Sequence, residues 1–222
     1  KKIKNEKEGI ILITVEWNEL ELEFKTNEQV FSPTSLDRGT RAMLSCVTFN
    51  KEDKVLDLGC GYGPVGIIAA KAIGAERVTM CDISEEAVAL SKENAIHNKV
   101  EEVRIVQSDG LKNIVEENFT LILSNPPYHV DFNVPKAFIE DGYKKLAISG
   151  TMIMVTKRKE RYKNKLISVF GGVKIDEIDG YYVFTAQKRN ARISKNKDKK
   201  NENILSKKLA KKQTRKLNNK GR

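Results

Sequence analysis

Cysteine and histidine are scarce in this chain. Its three cysteines, Cys46, Cys60 and Cys81, have no C-x-x-C spacing, and only His97 and His129 could add imidazole ligands, which argues against a disulfide framework or a metal site. Long apolar runs are missing as well: nothing approaches the ~20 consecutive apolar residues of a membrane-spanning helix. The opening KKIKNEKEG carries no apolar stretch of the secretory-signal kind, so the expectation is a cytoplasmic chain without a membrane partner. No internal repeat is present, which excludes a solenoid.

What is there is enough apolar content, 40% over 222 residues, to fill one sizeable core. The net charge of +10 is unevenly spread. Residues 188–222 hold 15 Lys and Arg against two acids, whereas residues 1–187 hold 25 basic and 28 acidic side chains. The basicity therefore belongs to a terminal segment of Lys, Asn, Arg and Ser whose few aliphatics cannot order it alone. Ile204, Leu205, Leu209 and Leu217 would form a weak apolar stripe there only if phosphates neutralised the lysines, so this tail is expected to supply salt-sensitive affinity for a polyanion.

Along the chain, alternating runs at 10–15 and 20–24 predict a small antiparallel lead-in sheet, followed by a turn at Ser32-Pro33 and a helix over 37–47. Strand and helix patterns then alternate: 54–58, 64–73, 77–82, 85–97, 103–107, 119–124, a helix over 134–148, a strand over 151–156, a helix over 160–170, and strands over 173–178 and 181–187. Alternation of this kind implies a doubly wound parallel sheet covered by helices on both faces. The last two strands are joined by Asp179-Gly180, a hairpin signal, so the final strand should run antiparallel. The expected organisation is a β lead-in over 1–31, an α/β domain over 32–187 and the basic tail over 188–222.

VLDLGCGYGPVG, residues 55–66, reads as a strand, a glycine turn and a helix start. Gly61, Gly63 and Gly66 satisfy G-x-G-x-x-G, and Asp82 follows at the end of the next strand, as a nucleotide-binding crevice requires. Two residues weigh against a dinucleotide: Pro64 removes an N–H where a pyrophosphate wants donors, and Asp57 brings a carboxylate to the same place. An adenosyl sulfonium reverses both preferences, with Asp57 either holding the loop or meeting the cationic end. Asp82 is then placed for ribose hydroxyls and Asp109, at the end of the following strand, for an adenine amino group.

With VLDLGCGYG, CD at 81 and 82, SD at 108 and 109, and NPPY at 125 to 128, the chain resembles class I S-adenosylmethionine-dependent methyltransferases over roughly residues 30–187. That resemblance implies a Rossmann-like seven-stranded sheet with an antiparallel last strand and S-adenosylmethionine as cofactor. The lead-in VFSPTSLDRGTRAML and the stretch NPPYH are similar to segments of guanine-N2 methyltransferases of small-subunit ribosomal RNA. By this resemblance Phe31, Ser32, Asp37, Gly39 and Thr40 help close the pocket, and the cofactor residues include Asp57, Gly59, Gly61, Gly63, Asp82, Ile83, Asp109 and Asn125.

SNPPYH follows an apolar strand, and its two prolines force a rigid turn. An exocyclic base amine is a poor nucleophile because its lone pair is conjugated with the ring. The Asn125 side-chain oxygen and the Pro126 carbonyl can accept its hydrogens, Pro126 and Pro127 hold them still, and Tyr128 offers a stacking face. Asn125, Pro126, Pro127 and Tyr128 are therefore the expected catalytic group, acting on an RNA base of ribosomal RNA or a small ribosomal subunit, in a monomer or homodimer. A protein-glutamine or DNA-adenine methyltransferase, or an RNA-binding assembly factor without turnover, are the alternatives. Some members of that family carry two similar domains, whereas this sequence reads as one, and the basic tail lies outside the family's motifs.

Overall fold

A computed structural model describes residues 3–5, 10–28, 34–127 and 131–189. The chain divides into two units, Lys1–Lys188 and Arg189–Arg222, and the fold is that of the first. Phe31, the Ser32-Pro33 turn, Tyr128, His129 and the tail from 190 onward lie outside the described residues. Among the described residues no helix is long and apolar enough to cross a membrane.

Strands β1 (Ile3–Asn5), β2 (Ile10–Trp17) and β3 (Leu20–Thr26) form an antiparallel sheet. Helix α1 (Arg38–Ser45) follows and leads into β4 (Val55–Leu58), α2 (Pro64–Ile73), a single 3-10 turn, β5 (Val78–Asp82), α3 (Glu85–His97) and β6 (Arg104–Gln107). Next come β7 (Phe119–Ser124), α4 (Asn133–Lys145), β8 (Leu146–Thr156), α5 (Lys159–Phe170), β9 (Lys174–Ile178) and β10 (Tyr181–Gln187). The seven-stranded sheet has the order β6-β5-β4-β7-β8-β10-β9, parallel except for β10, which runs antiparallel to both neighbours. This is the Rossmann-like architecture expected from the alternation of elements.

Strand alternation explains the layers. Leu56, Ile122, Met152, Met154 and Phe184 face one core with α4 and α5, while Val55, Leu121, Leu123, Ile153, Val155 and Val183 face the other with α1, α2 and the inner faces of β2 and β3. The strand order reverses between β4 and β7, so the loops after these two strands diverge and open a crevice at the carboxyl edge.

Two expected boundaries differ. The helix expected over 134–148 ends at Lys145, and β8 starts at Leu146 rather than 151. Leu146 pairs with Phe119 across a register shift, Ser149 adopts φ 68°, and Ser149 N–H and Gly150 C=O exchange hydrogen bonds with Lys188. These long-range partners claim backbone groups that a helix would use locally. The lead-in sheet also has a third strand, Ile3–Asn5, in a stretch too short and polar to show alternation.

The lead-in sheet is fastened by two asparagines one turn apart, Asn94 on α3 and Asn98 at its C-cap. Asn94, fully buried, accepts from Lys25 N–H at 2.7 Å through its amide oxygen and donates to Lys25 C=O and Tyr62 C=O, each at 2.8 Å. Asn98 donates to Glu23 C=O at 2.8 Å. One side chain thus joins β3, α3 and the glycine turn. Asn94→Ala is expected to lower the unfolding free energy by about 2–4 kcal/mol, three buried bonds at about 1 kcal/mol each plus stranded backbone groups, whereas Asn98→Ala costs about half that. Urea denaturation of both variants checks this, and equal, small losses would show that the amide bridge does not dock the sheet.

Candidate active site

The turn after β4 needs backbone that only glycine adopts cheaply. Gly59, Gly61 and Gly63 have φ of 79°, 57° and 95°. Side chains from the surrounding elements hold it: Gly61 N–H donates to Asp82 Oδ2 at 2.9 Å, Gly61 C=O accepts from Ser91 Oγ at 2.7 Å, and Gly66 N–H donates to Asp57 Oδ2 at 2.8 Å. A Cβ on Gly61 would meet nothing within 4 Å, whereas on Gly63 it would lie 2.9 Å from Met80 Cε and on Gly66 2.5 Å from Met80 Sδ. Gly61 therefore opens onto space, Gly66 packs tightly against Met80, and Gly63 combines a left-handed backbone with close packing against the flexible end of Met80.

That space is a cavity of about 350 Å³ at the sheet's switch point. It brings together Asp37, Thr40, Asp57, Gly59, Gly61, Asp82, Ile83, Asp109, Asn125 and Pro127 from the expected set. Gly63 and Pro126 are not in its wall: Gly63 caps α2, and Pro126 is buried. The sequence reading missed Leu36, Tyr62, Val134 and Phe138. Val134 and Phe138 stand one turn apart on α4, a spacing that signals only a helix face. Phe138 reaches across to the cavity floor, where its ring would lie 3.5 Å from a Cβ on Gly110 and 3.8 Å from one on Gly59.

Polar groups are set with directional logic. Asp82 accepts from Ser84 N–H through Oδ1 at 3.0 Å as well as from Gly61 N–H, so each carboxylate oxygen holds one backbone donor and keeps a lone pair. Beside it Ile83 is 64% exposed, an apolar face left uncovered at the rim. Asp109 is exposed and pairs with Lys112. The Tyr62 hydroxyl is buried in the cavity wall with no hydrogen-bond partner among the described residues.

Asn125 leaves β7 with its amide nitrogen donating to Asp37 Oδ2 at 2.8 Å and Thr40 Oγ1 at 2.9 Å. Asp37 also caps α1, accepting from Thr40 N–H at 2.8 Å. A carboxylate cannot donate, so the amide nitrogen must face Asp37, and the amide oxygen is the acceptor end of the side chain.

Burial dominates the titration of the inner wall. It pushes the Asp57 carboxyl up to about 7 against the lowering effect of the Gly66 N–H, with Asp82 adding a further push upward. It drives the Cys60 thiol well up and the Cys81 thiol to about 12, so neither is a nucleophile.

A family model described as methyltransferase small domain matches residues 21–185, and the chain belongs to this family. It is 34% identical over 171 residues to the uncharacterised protein YbxB of Bacillus subtilis, covering 74% of this chain and 85% of that one. It is 31% identical to ribosomal RNA large subunit methyltransferase G of Yersinia enterocolitica, covering 79% of this chain and 47% of the relative. With ribosomal RNA small subunit methyltransferase C of Actinobacillus pleuropneumoniae it is 37% identical, over 64% of this chain and 44% of the relative. The chain thus spans about half the length of these two ribosomal RNA enzymes. In fold it matches the 16S rRNA N2 methyltransferase of T. Thermophilus, solved in complex with AdoMet and guanosine, with a TM-score of 0.74 at 23% identity over 80% of this chain and 50% of that one.

The raised Asp57 carboxyl has a stability consequence. The native state keeps this proton up to about pH 7 while the unfolded chain releases it near pH 4, so the native state binds more protons in between and stability falls as pH rises through that window. Asp57→Asn, which still offers Gly66 an acceptor oxygen, should remove a pH-dependent cost of up to about 4 kcal/mol. Urea denaturation of both proteins from pH 4 to 8 checks this: the variant's profile should be the flatter one, and parallel curves would refute the assignment.

Proposed function

We propose that this member of the methyltransferase small domain family transfers a methyl group from S-adenosylmethionine to an exocyclic amine of an RNA base, guanine N2 of small-subunit ribosomal RNA. The observation that carries the reading is the acidic character of the cavity wall: Asp37, Asp82 and the Lys112-paired Asp109 line it with Asp57, which keeps its proton up to about pH 7, and among the described residues no Lys, Arg or His does. A pyrophosphate would meet carboxylates there, whereas a ligand bearing an ammonium and a sulfonium is attracted.

The residues fit such a ligand. Gly61 leaves room for close approach, the Asp82 carboxylate can accept from ribose hydroxyls, and Ile83 presents an apolar face to an adenine ring. Bound there, S-adenosylmethionine would supply an electrophilic methyl, the amine lone pair forming the C–N bond as the C–S electron pair leaves on sulfur.

The chain's own contribution is alignment. Asn125, clamped through its nitrogen by Asp37 and Thr40, can offer its amide oxygen to an amine hydrogen; Pro126, buried outside the cavity wall, would serve as the second acceptor only if its carbonyl turned toward the bound base. Tyr128, outside the described residues, is assigned the stacking face. The amine proton becomes acidic only after methylation, so no strong base is needed. Guanine N2 is favoured by NPPYH and by the guanosine bound to the solved 16S rRNA N2 methyltransferase, while the large-subunit relatives make that subunit the second reading.

Mass spectrometry of ribosomal RNA nucleosides from cells with and without the gene tests the substrate. Loss of N2-methylguanosine from the small subunit is expected, and loss of a methylated adenosine instead would overturn the guanine assignment. Asn125→Ala should leave S-adenosylmethionine affinity near wild type while turnover falls at least about a hundredfold. An equal loss of both would assign Asn125 to the cofactor pocket or the fold. Asp82→Ala should weaken that affinity by about 1.5–3 kcal/mol in a calorimetric titration. Unchanged binding would refute the ribose role, and binding of NADH in its place would refute the cofactor.

A further inference from the structure

Helix α5 starts where β8 leaves the sheet, at the carboxyl edge that holds the candidate site. Strand β8 lies beside β7 with Ser124 level with Met154, so the residues after Thr156 emerge at the neighbouring strand end, two residues beyond the level of Asn125. The stretch 157–165, KRKERYKNK, carries six Lys and Arg against one Glu in a body that is otherwise acidic. Two of the six are neutralised locally, Lys165 by Glu140 and Lys163 by Glu160 at 3.7 Å.

Lys157, Arg158, Lys159 and Arg161 form no ion pair among the described residues. Lys157 Nζ stands 4.8 Å over the Tyr181 ring and Lys159 Nζ 4.9 Å over the Tyr182 ring, which hold both ammoniums at the β10 side of the edge. Arg158 and Arg161 are exposed, and Arg158 is fixed in the turn by its N–H donating to Thr156 Oγ1 at 3.1 Å. Four like charges crowd the amino end of a helix, where the backbone field already disfavours cations. A polyanion lying across this edge would relieve both costs.

We propose that Lys157, Arg158, Lys159 and Arg161 form a phosphate-binding surface that grips the RNA strand beside the base presented to Asn125. It acts separately from the basic segment beyond residue 189. This rests on the RNA reading above.

The test uses the full chain with Lys157→Gln, Arg158→Gln and Arg161→Gln combined, titrated against a fluorescent mixed-sequence single-stranded RNA of about a dozen nucleotides at several salt concentrations. The slope of log K against log salt should fall by about 2, about 0.7 per lost phosphate contact. The charge-conserving set Lys157→Arg, Arg158→Lys and Arg161→Lys should keep the wild-type slope. The melting temperature and S-adenosylmethionine affinity should stay unchanged in both sets. A wild-type slope in the Gln variant overturns the surface and leaves the RNA substrate standing. Failure of the wild-type chain to bind or methylate any RNA overturns the substrate reading, and this inference with it.

Discussion

Everything at the site hangs on a turn of backbone that is held by side chains. In the turn after β4, where Gly59, Gly61 and Gly63 are left-handed, the Gly59 and Gly63 N–H groups donate to the Cys81 and Cys60 carbonyls. Side chains hold the rest: Asp82 and Ser91 bond Gly61, Asn94 bonds Tyr62 C=O and Asp57 bonds Gly66 N–H. Buried backbone groups left unpaired would each cost on the order of 1–3 kcal/mol, so the turn and its four side chains stand or fall together. Because Asn94 also grips Lys25, the lead-in sheet is part of the same arrangement.

A second clamp governs the other wall. Asp37 caps α1 and orients the Asn125 amide with one carboxylate oxygen, so the helix that closes the cavity and the side chain at its mouth share a single anchor. The two clamps come from opposite sides of the point where the strand order reverses. Divergence of the loops after β4 and β7 creates the crevice, and the clamps keep its walls in register.

Electrostatically the edge is divided. Acidic residues line the interior of the cavity, and among the described residues the cations at the start of α5 form no ion pair. Such a division would separate a cationic ligand inside from a polyanion outside, as the proposed function requires. Each is attracted to one zone and repelled by the other, so position follows from charge before any specific contact is made.

The alternation of elements, the antiparallel final strand and the motif positions were legible in the sequence because they depend on local signals: apolar periodicity, glycine and proline placement, and the Asp179-Gly180 turn. Asp57, Asp82 and Asn125 were legible as cavity-lining candidates for the same reason, since each sits at or near the end of a strand. The early end of α4, the third lead-in strand, the Asn94 bridge and the reach of Phe138 were not, because each depends on a partner far along the chain. Gly63 illustrates the boundary. Its place in the motif marked it for the ligand, but only the packing of Met80 against it reveals that its missing side chain makes room for the core. Local signals determine which residues stand at the edge of the sheet; what each one touches was decided by tertiary packing, because hydrogen bonds and volume exclusion act between atoms in space and not between neighbours in sequence.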